Sequence, residues 1–331
     1  MTLTRRNFIT SSGAIAAGAA IAVPLANMAI PGVGHAAAPK AGAQVPGLYR
    51  FTVGEFEVTA ILDGYLNTDS ELISGYEETE ARAAHRTVRR PFTSTEMKIA
   101  VNGYVVNTGE KLLVIDCGTA DFLGPTAGRF HDGLTGAGYR PSQIDAVLTT
   151  HLHLDHVGGL STKEGEALFP DAELISNKSE WDFWHDDGAR AQAPDAVKGF
   201  FDIARMMVRP YQKRITMTEP GKEIVPGIEA ISMPGHTPGH MGFLLTSGNE
   251  SLLIWGDLLH FPQLQFAQPD WSVAFDVDQE LARQTRAGLL DRAAADETPV
   301  LGMHLDFPGL GHVIRENGNY RYLQTPWQYQ L

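Results

Sequence analysis

The stretch His151-Leu152-His153-Leu154-Asp155-His156 (HLHLDH) places four metal-capable side chains within six residues. It follows the apolar run Ile144-Asp145-Ala146-Val147-Leu148-Thr149-Thr150, which reads as a β-strand, and leads into Val157-Gly158-Gly159, where the chain turns. Side chains two apart share a face of an extended segment, so His151 and His153 are expected to point the same way. Asp155 and His156 lie just beyond and are placed to address a second ion close to the first. Imidazole with carboxylate is a donor set that suits zinc and similar first-row metals.

Three single residues downstream extend the pattern. His236 lies in the Gly/Pro-punctuated loop MPGHTPGH (233–240), after the strand-like run 228–232. Asp257 ends the apolar run SLLIWG (251–256), and His304 follows the short apolar run PVLGM (299–303). Each sits where a strand runs out into a loop, the usual location of chemistry in α/β folds.

This order, HxHxDH followed by single His, Asp and His residues, resembles the metallo-β-lactamase superfamily. The resemblance implies an α/β fold, an αβ/βα four-layer sandwich with metals at one edge. It assigns His151, His153 and His236 to one metal, and Asp155, His156 and His304 to a second, with Asp257 bridging. Two divalent ions, zinc foremost, are the cofactors it implies. Two metals held close together supply hydroxide near neutral pH for attack on a carbonyl carbon or phosphorus. The segments PGLYR (46–50), GEFEVTA (54–60), GYVVNTG (103–109), GPT (124–126), KGFF (198–201) and FPGLGH (307–312) are similar to the methyl parathion hydrolases. The quorum-quenching lactonases share the same seven ligands. The expected substrates are therefore small phosphotriesters, lactones or aryl esters. A lactonase with incidental phosphotriesterase activity is the alternative, and a non-catalytic metal-binding protein is the reading from another class. The subfamily likeness places Phe122 or Leu123, Trp184, and Phe200 or Phe201 in the walls of a leaving-group pocket, and it implies a homodimer. Some lactonases carry Tyr three residues after the bridging Asp; here that position is His260, a candidate acid for a lactone alkoxide. Asp116, at the end of the strand-like run 111–115, is a candidate acceptor for a ligand His, because ligating imidazoles commonly donate their other N–H to a carboxylate.

The remaining features bound the answer. Thr4-Arg5-Arg6-Asn7-Phe8-Ile9, with the Ala/Gly-rich run behind it, reads as a twin-arginine export leader over residues 1–38. This implies the twin-arginine machinery as a partner and a periplasmic or secreted enzyme. Residues 39–331 are expected to form one domain, with 177–225 a helical insertion over the site. Helices are expected over 125–137, 179–185, 194–208 and 278–295. The net charge of −13 argues against nucleic acid and anionic membranes as partners. The one cysteine, Cys117, has no partner for an internal disulfide.

Overall fold

The computed structural model describes residues 40–42 and 44–331. The export leader expected over 1–38 lies outside the described residues. Residues Val45–Leu331 form one compact unit. In chain order its strands are β1 (Leu48–Val53), β2 (Phe56–Thr68), β3 (Ile73–Ser74), β4 (Met97–Asn107), β5 (Leu112–Ile115), β6 (Ala146–Leu148), β7 (Glu173–Asn177), β8 (Ile215–Thr218), β9 (Glu223–Val225), β10 (Ile228–Ser232), β11 (Met241–Ser247), β12 (Glu250–Ile254), β13 (Ser272–Val273), β14 (Val300–Leu301), β15 (Leu310–Glu316) and β16 (Asn319–Gln324). The helices are α1 (Glu78–Thr87), α2 (Phe130–Gly136), α3 (Leu154–Val157), α4 (Lys178–His185), α5 (Asp187–Gln192), α6 (Asp195–Val208), α7 (Pro262–Gln265) and α8 (Gln279–Ala295).

Two seven-stranded sheets carry the fold, in the orders β1-β2-β4-β5-β6-β7-β8 and β16-β15-β14-β12-β11-β10-β9. Their inner faces meet through Phe51, Val58, Tyr104, Val106, Leu113 and Ile115 on one side and Ile228, Phe243, Leu245, Leu252 and Ile254 on the other. The outer face of the first sheet, with Val105, Val114 and Val147, is covered by Phe130 and Leu134 of α2 and by α4 and α6. The outer face of the second, with Leu253 and Val300, is covered by Leu290 and Ala293 of α8. This is the expected four-layer αβ/βα arrangement. Burial on both faces explains why β5 and β6 read as unbroken apolar runs rather than as alternating ones.

Two expectations need correction, and one helix was not expected. The run 125–137 is helical only from Phe130, because Gly124 and Gly128 turn the chain through left-handed geometry (φ +87° and +92°). The segment 177–225 is helical only to Val208 and a following 3₁₀ turn; its last part supplies β8 and β9, the edge strands of the two sheets. Helix α1 was not expected; its buried face consists of Ala81 and Ala84, which mark it less plainly than large apolar residues would.

The pairing of β2 with β4 slips between Leu62 and Gly64, leaving Asp63 at a bulge. A bulge re-aims a side chain. Here the fully buried Asp63 carboxylate accepts from Thr119 N–H (3.2 Å) and Oγ1 (3.0 Å), Gly128 N–H (2.8 Å) and Phe130 N–H (2.9 Å). It thereby folds the loop after β5 back over the sheet. Replacing Asp63 by Asn presents amide hydrogens to these donors; the expected loss is about 2 kcal/mol of unfolding free energy, read by urea titration.

Candidate metal centre

Strand direction brings the ligand candidates together. β12 pairs parallel with β14, while β11 runs antiparallel to both β10 and β12, so β10, β12 and β14 share one direction. His236, Asp257 and His304 follow their three ends. In the first sheet β5, β6, β7 and β8 are parallel. Asp116 follows β5, and His151 to His156 follow β6. The carboxyl ends of neighbouring parallel strands are where such sheets form their ligand crevices.

The seven residues fall into two groups joined by one carboxylate. Donor atoms of His151, His153, His236 and Asp257 lie within 4.8 Å of one another, as do those of Asp155, His156 and His304. Asp257 divides its two oxygens between them. Oδ2 lies 3.6 Å from His151 Nε2 and 3.2 Å from His236 Nε2, whereas Oδ1 lies 3.1 Å from both His156 Nε2 and His304 Nε2. Asp155 Oδ2 is 3.7 Å from His156 Nε2 and 3.5 Å from His304 Nε2.

The outward nitrogens are held by the protein. His156 Nδ1 lies 2.7 Å from Asp116 Oδ2, His236 Nδ1 lies 2.8 Å from Asp276 Oδ1, and His304 Nδ1 lies 2.6 Å from the carbonyl of Ala100. These contacts fix the ring orientations, with Nε2 inward. Asp116 also accepts from Thr150 N–H and Oγ1 and holds a left-handed backbone (φ +52°), a local strain of the kind that persists where surroundings over-determine it. His240 stands apart. Its Nδ1 donates to the Met233 carbonyl and its Nε2 accepts from Asp257 N–H, so both nitrogens are spent on backbone.

The electrostatics follow from the packing. Burial drives His151 and His153 well below the ordinary imidazole range, which leaves both rings in the neutral form a metal requires. Burial pushes His156 the same way, but the carboxylates of Asp257, Asp155 and Asp116 outweigh it and raise this ring. His236, buried between Asp257 and Asp276, is likewise raised, to about 9. Burial opposes the charge on Asp257, yet the rings of His156, His304, His260 and His151 hold its carboxyl well below the usual range.

Five buried atoms near this junction make no hydrogen bond: Nε2 of His151, His156 and His304, Oδ1 of Asp257 and Nδ1 of His260. Buried polar atoms are rarely left unpaired. Four of the five belong to the seven ligand candidates and face the space between them, so the side chains present fit a metal centre.

His260 Nε2 lies 3.0 Å from Asp257 Oδ2, and its ring stacks on His304 (5.0 Å between centroids). His260 also lines a cavity of about 220 Å³ that opens on the centre, with His153, Asp155, His236, Asp257 and His304 at its base. Its walls are Leu66, Ile99, Leu123, Leu152, Leu154, Phe200, Ile203 and Phe275. Leu123 and Phe200 stand at its mouth, 37% and 38% exposed. The other three expected wall residues do not reach it. Trp184 and Phe201 are each 1% exposed and pack into the core under α4 and α6, and Phe122 packs on the same cluster beneath the Lys163 ammonium. A larger groove of about 460 Å³, lined by Arg90, Asp306, Tyr322 and others, shares no residue with the centre.

Sequence reasoning missed Glu180, Asp276 and Arg286. Arg286, buried on α8, donates to the carbonyls of Leu258 (2.8 Å), Pro269 (2.8 Å) and Trp271 (2.9 Å) and lies 3.7 Å from Asp276. It ties the Asp257 loop to the carboxylate that backs His236. The helical run QELARQTRAG around it reads as a solvated face, so nothing local marks it.

The model of the metallo-beta-lactamase superfamily matches residues 98–304, from β4 to the last ligand candidate. The chain belongs to the metallo-β-lactamase superfamily. This member is similar to AbOPH, a hydrolase in the β-lactamase superfamily (30% identity, TM-score 0.82, covering 86% of this chain and 100% of that one). It is also similar to AidC, a dizinc quorum-quenching lactonase solved with a product N-acyl-L-homoserine carrying a six-carbon chain (25% identity, TM-score 0.79, covering 86% and 99%). An N-acyl homoserine lactonase of Bacillus sp is 24% identical over 181 residues, 49% of this chain and 64% of that protein. YobT of Bacillus subtilis is 30% identical over 159 residues, 47% and 61%. The chain thus spans less than two thirds of the length of these curated relatives.

Because Asp257 faces both groups, Asp257→Ala is expected to lower bound metal in both. The check is metal content per chain after dialysis, beside the wild type; full retention contradicts a bridging role.

Proposed function

We propose that this protein is a metal-dependent hydrolase of small, uncharged lactones or esters that carry an apolar group. The observation that carries the reading is the junction of seven His and Asp side chains with a cavity whose walls are all apolar. Among the described residues, the lining of that cavity contains no Lys, Arg, Ser, Thr, Tyr, Asn or Gln. Outside the centre no side chain of the lining would pair with a second charged group on the substrate, and a buried unpaired charge is costly. Among the described residues, the polar side chains of the lining are those of the centre and His260, so the substrate's reacting bond is the polar group the cavity accommodates best. Its small volume, below that of typical drug-sized pockets, limits the size of the apolar part.

In this reading His151, His153 and His236 would hold one divalent ion and Asp155, His156 and His304 a second, with Asp257 available to both. When bound, such ions polarise a carbonyl or phosphoryl oxygen and supply hydroxide near neutral pH. The chain's own residues do the rest. Leu123, Phe200 and Phe275 bury the apolar part of the substrate and exclude water, which strengthens the electrostatics at the base. Asp116 and Asp276 keep the ligand rings oriented. His260 presents Nε2 to Asp257 Oδ2, so a proton held there steadies the carboxylate from the cavity side, and it is the one protonatable group in the lining outside the seven ligands.

A neutral phosphotriester fits the same uncharged cavity, and the segments that resemble methyl parathion hydrolases favour it as the competing substrate. With zinc-reconstituted protein, we expect kcat/KM for an alkyl γ-lactone to exceed that for methyl parathion, and a carboxylate-bearing β-lactam to be turned over by neither route. A large preference for methyl parathion reverses the assignment.

The cavity walls give a separate check. Phe200→Ala is expected to raise KM for an alkyl-substituted substrate by roughly tenfold with little effect on stability, since about 1–2 kcal/mol of apolar contact is lost. Phe201→Ala is expected to do the opposite, lowering unfolding free energy by about 3 kcal/mol. Steady-state kinetics and urea denaturation on both variants distinguish the two neighbours.

A further inference from the structure

The carboxylate of Glu180 belongs to neither ligand group, yet it is fully buried in the first turn of α4, just beyond the end of β7. It receives four donors. Oε1 accepts from the backbone N–H of Leu152 (3.0 Å) and from Trp184 Nε1 (2.6 Å). Oε2 accepts from Thr237 Oγ1 (2.6 Å) and from Gly239 N–H (3.1 Å). Leu152 lies between His151 and His153, and Thr237 follows His236. One rigid group therefore grips both loops that supply the three imidazoles of one ligand group. Trp184, held by the same carboxylate, packs edge-on against His153 (5.4 Å between centroids). The approach at Gly239 is close enough that a Cβ there would press on the backbone of Glu180 itself. The first of these loops runs on to Asp155 and His156, but the bonds stop at Leu152, and the rings of His156 and His304 are held instead by Asp116 and the Ala100 carbonyl.

We propose that Glu180 is a positioning residue that sets the spacing of His151, His153 and His236, and so controls metal affinity at that group and not at its neighbour. The proposal rests on the reading of the centre as two metal sites. Its physical basis is the strength and rigidity of charge-assisted hydrogen bonds in a buried setting, with each oxygen serving a different loop. A Gln side chain of the same shape turns an NH₂ toward two donors and releases one of the loops. Partners of this kind typically change metal affinity by about 10- to 100-fold when replaced.

The test is cobalt(II) titration of metal-free full chain, followed by visible absorbance and by metal content after equilibrium dialysis. Wild type is expected to take up two equivalents. Glu180→Gln is expected to weaken one of them by at least about tenfold while the other stays within about twofold. In a His304→Ala background the same weakening is expected on the remaining ion; in a His236→Ala background Glu180→Gln is expected to change nothing. A general loosening of the fold would instead weaken both equivalents, and that result overturns the proposal, as does unchanged binding of both. Should Glu180→Gln fail to fold by circular dichroism, Thr237→Val removes a single donor and keeps the carboxylate. It is then expected to weaken the same equivalent by roughly threefold to tenfold, and an effect on neither or on both overturns the proposal. A wild type that binds no cobalt overturns the reading of the centre itself, and the clamp with it.

Discussion

One buried carboxylate organises this molecule. Asp257 is 3% exposed and lies within 3.6 Å of a nitrogen of five imidazoles, those of His151, His156, His236, His260 and His304. A charge so far from water persists only when surrounded by compensating groups. The strand order provides them. β10, β12 and β14 run in one direction in one sheet, β5 to β8 do so in the other, and their ends open on one crevice. The four-layer sandwich is thus the scaffold that lets residues from four loops meet at one carboxylate.

Around that core lies a polar shell that faces outward from the rings. Asp116, Asp276 and the Ala100 carbonyl take the Nδ1 atoms of His156, His236 and His304. Arg286 and Glu180 act one step further out, each binding backbone on two different loops. Burial pushes the Glu180 carboxyl up, against the pull of its four donors. The cavity on the other side of the centre is built oppositely, from apolar walls alone. Polar order on one side and an uncharged opening on the other direct reactivity to a single place.

The ligand candidates were legible because metal chemistry leaves a local record. HLHLDH occupies six consecutive residues, and His236, Asp257 and His304 each come shortly after an apolar run. Strands buried on both faces, such as LLVI in β5, were equally plain. Helix α1 was less plain, since its buried face is made of Ala81 and Ala84 rather than large apolar residues. The aromatic wall was only partly legible. Phe200 and Phe201 are neighbours in one amphipathic helix, yet one opens on the cavity and the other packs in the core. Composition cannot separate them, because the direction of α6 relative to the sheet decides which side faces the centre.

The sequence by itself offered the seven candidate donors, their order along the chain and their placement after strand-like runs, because residue type and short-range periodicity carry that much, and the family resemblance supplied their grouping. Only the tertiary structure decided which imidazole nitrogens turn inward, which aromatic side chains line the cavity, and that Glu180 and Arg286 are part of the centre. Those matters depend on hydrogen bonds and packing between segments far apart in the chain, such as Leu152 with Glu180 or Leu258 with Arg286, and no local pattern records a partner that folding alone brings near.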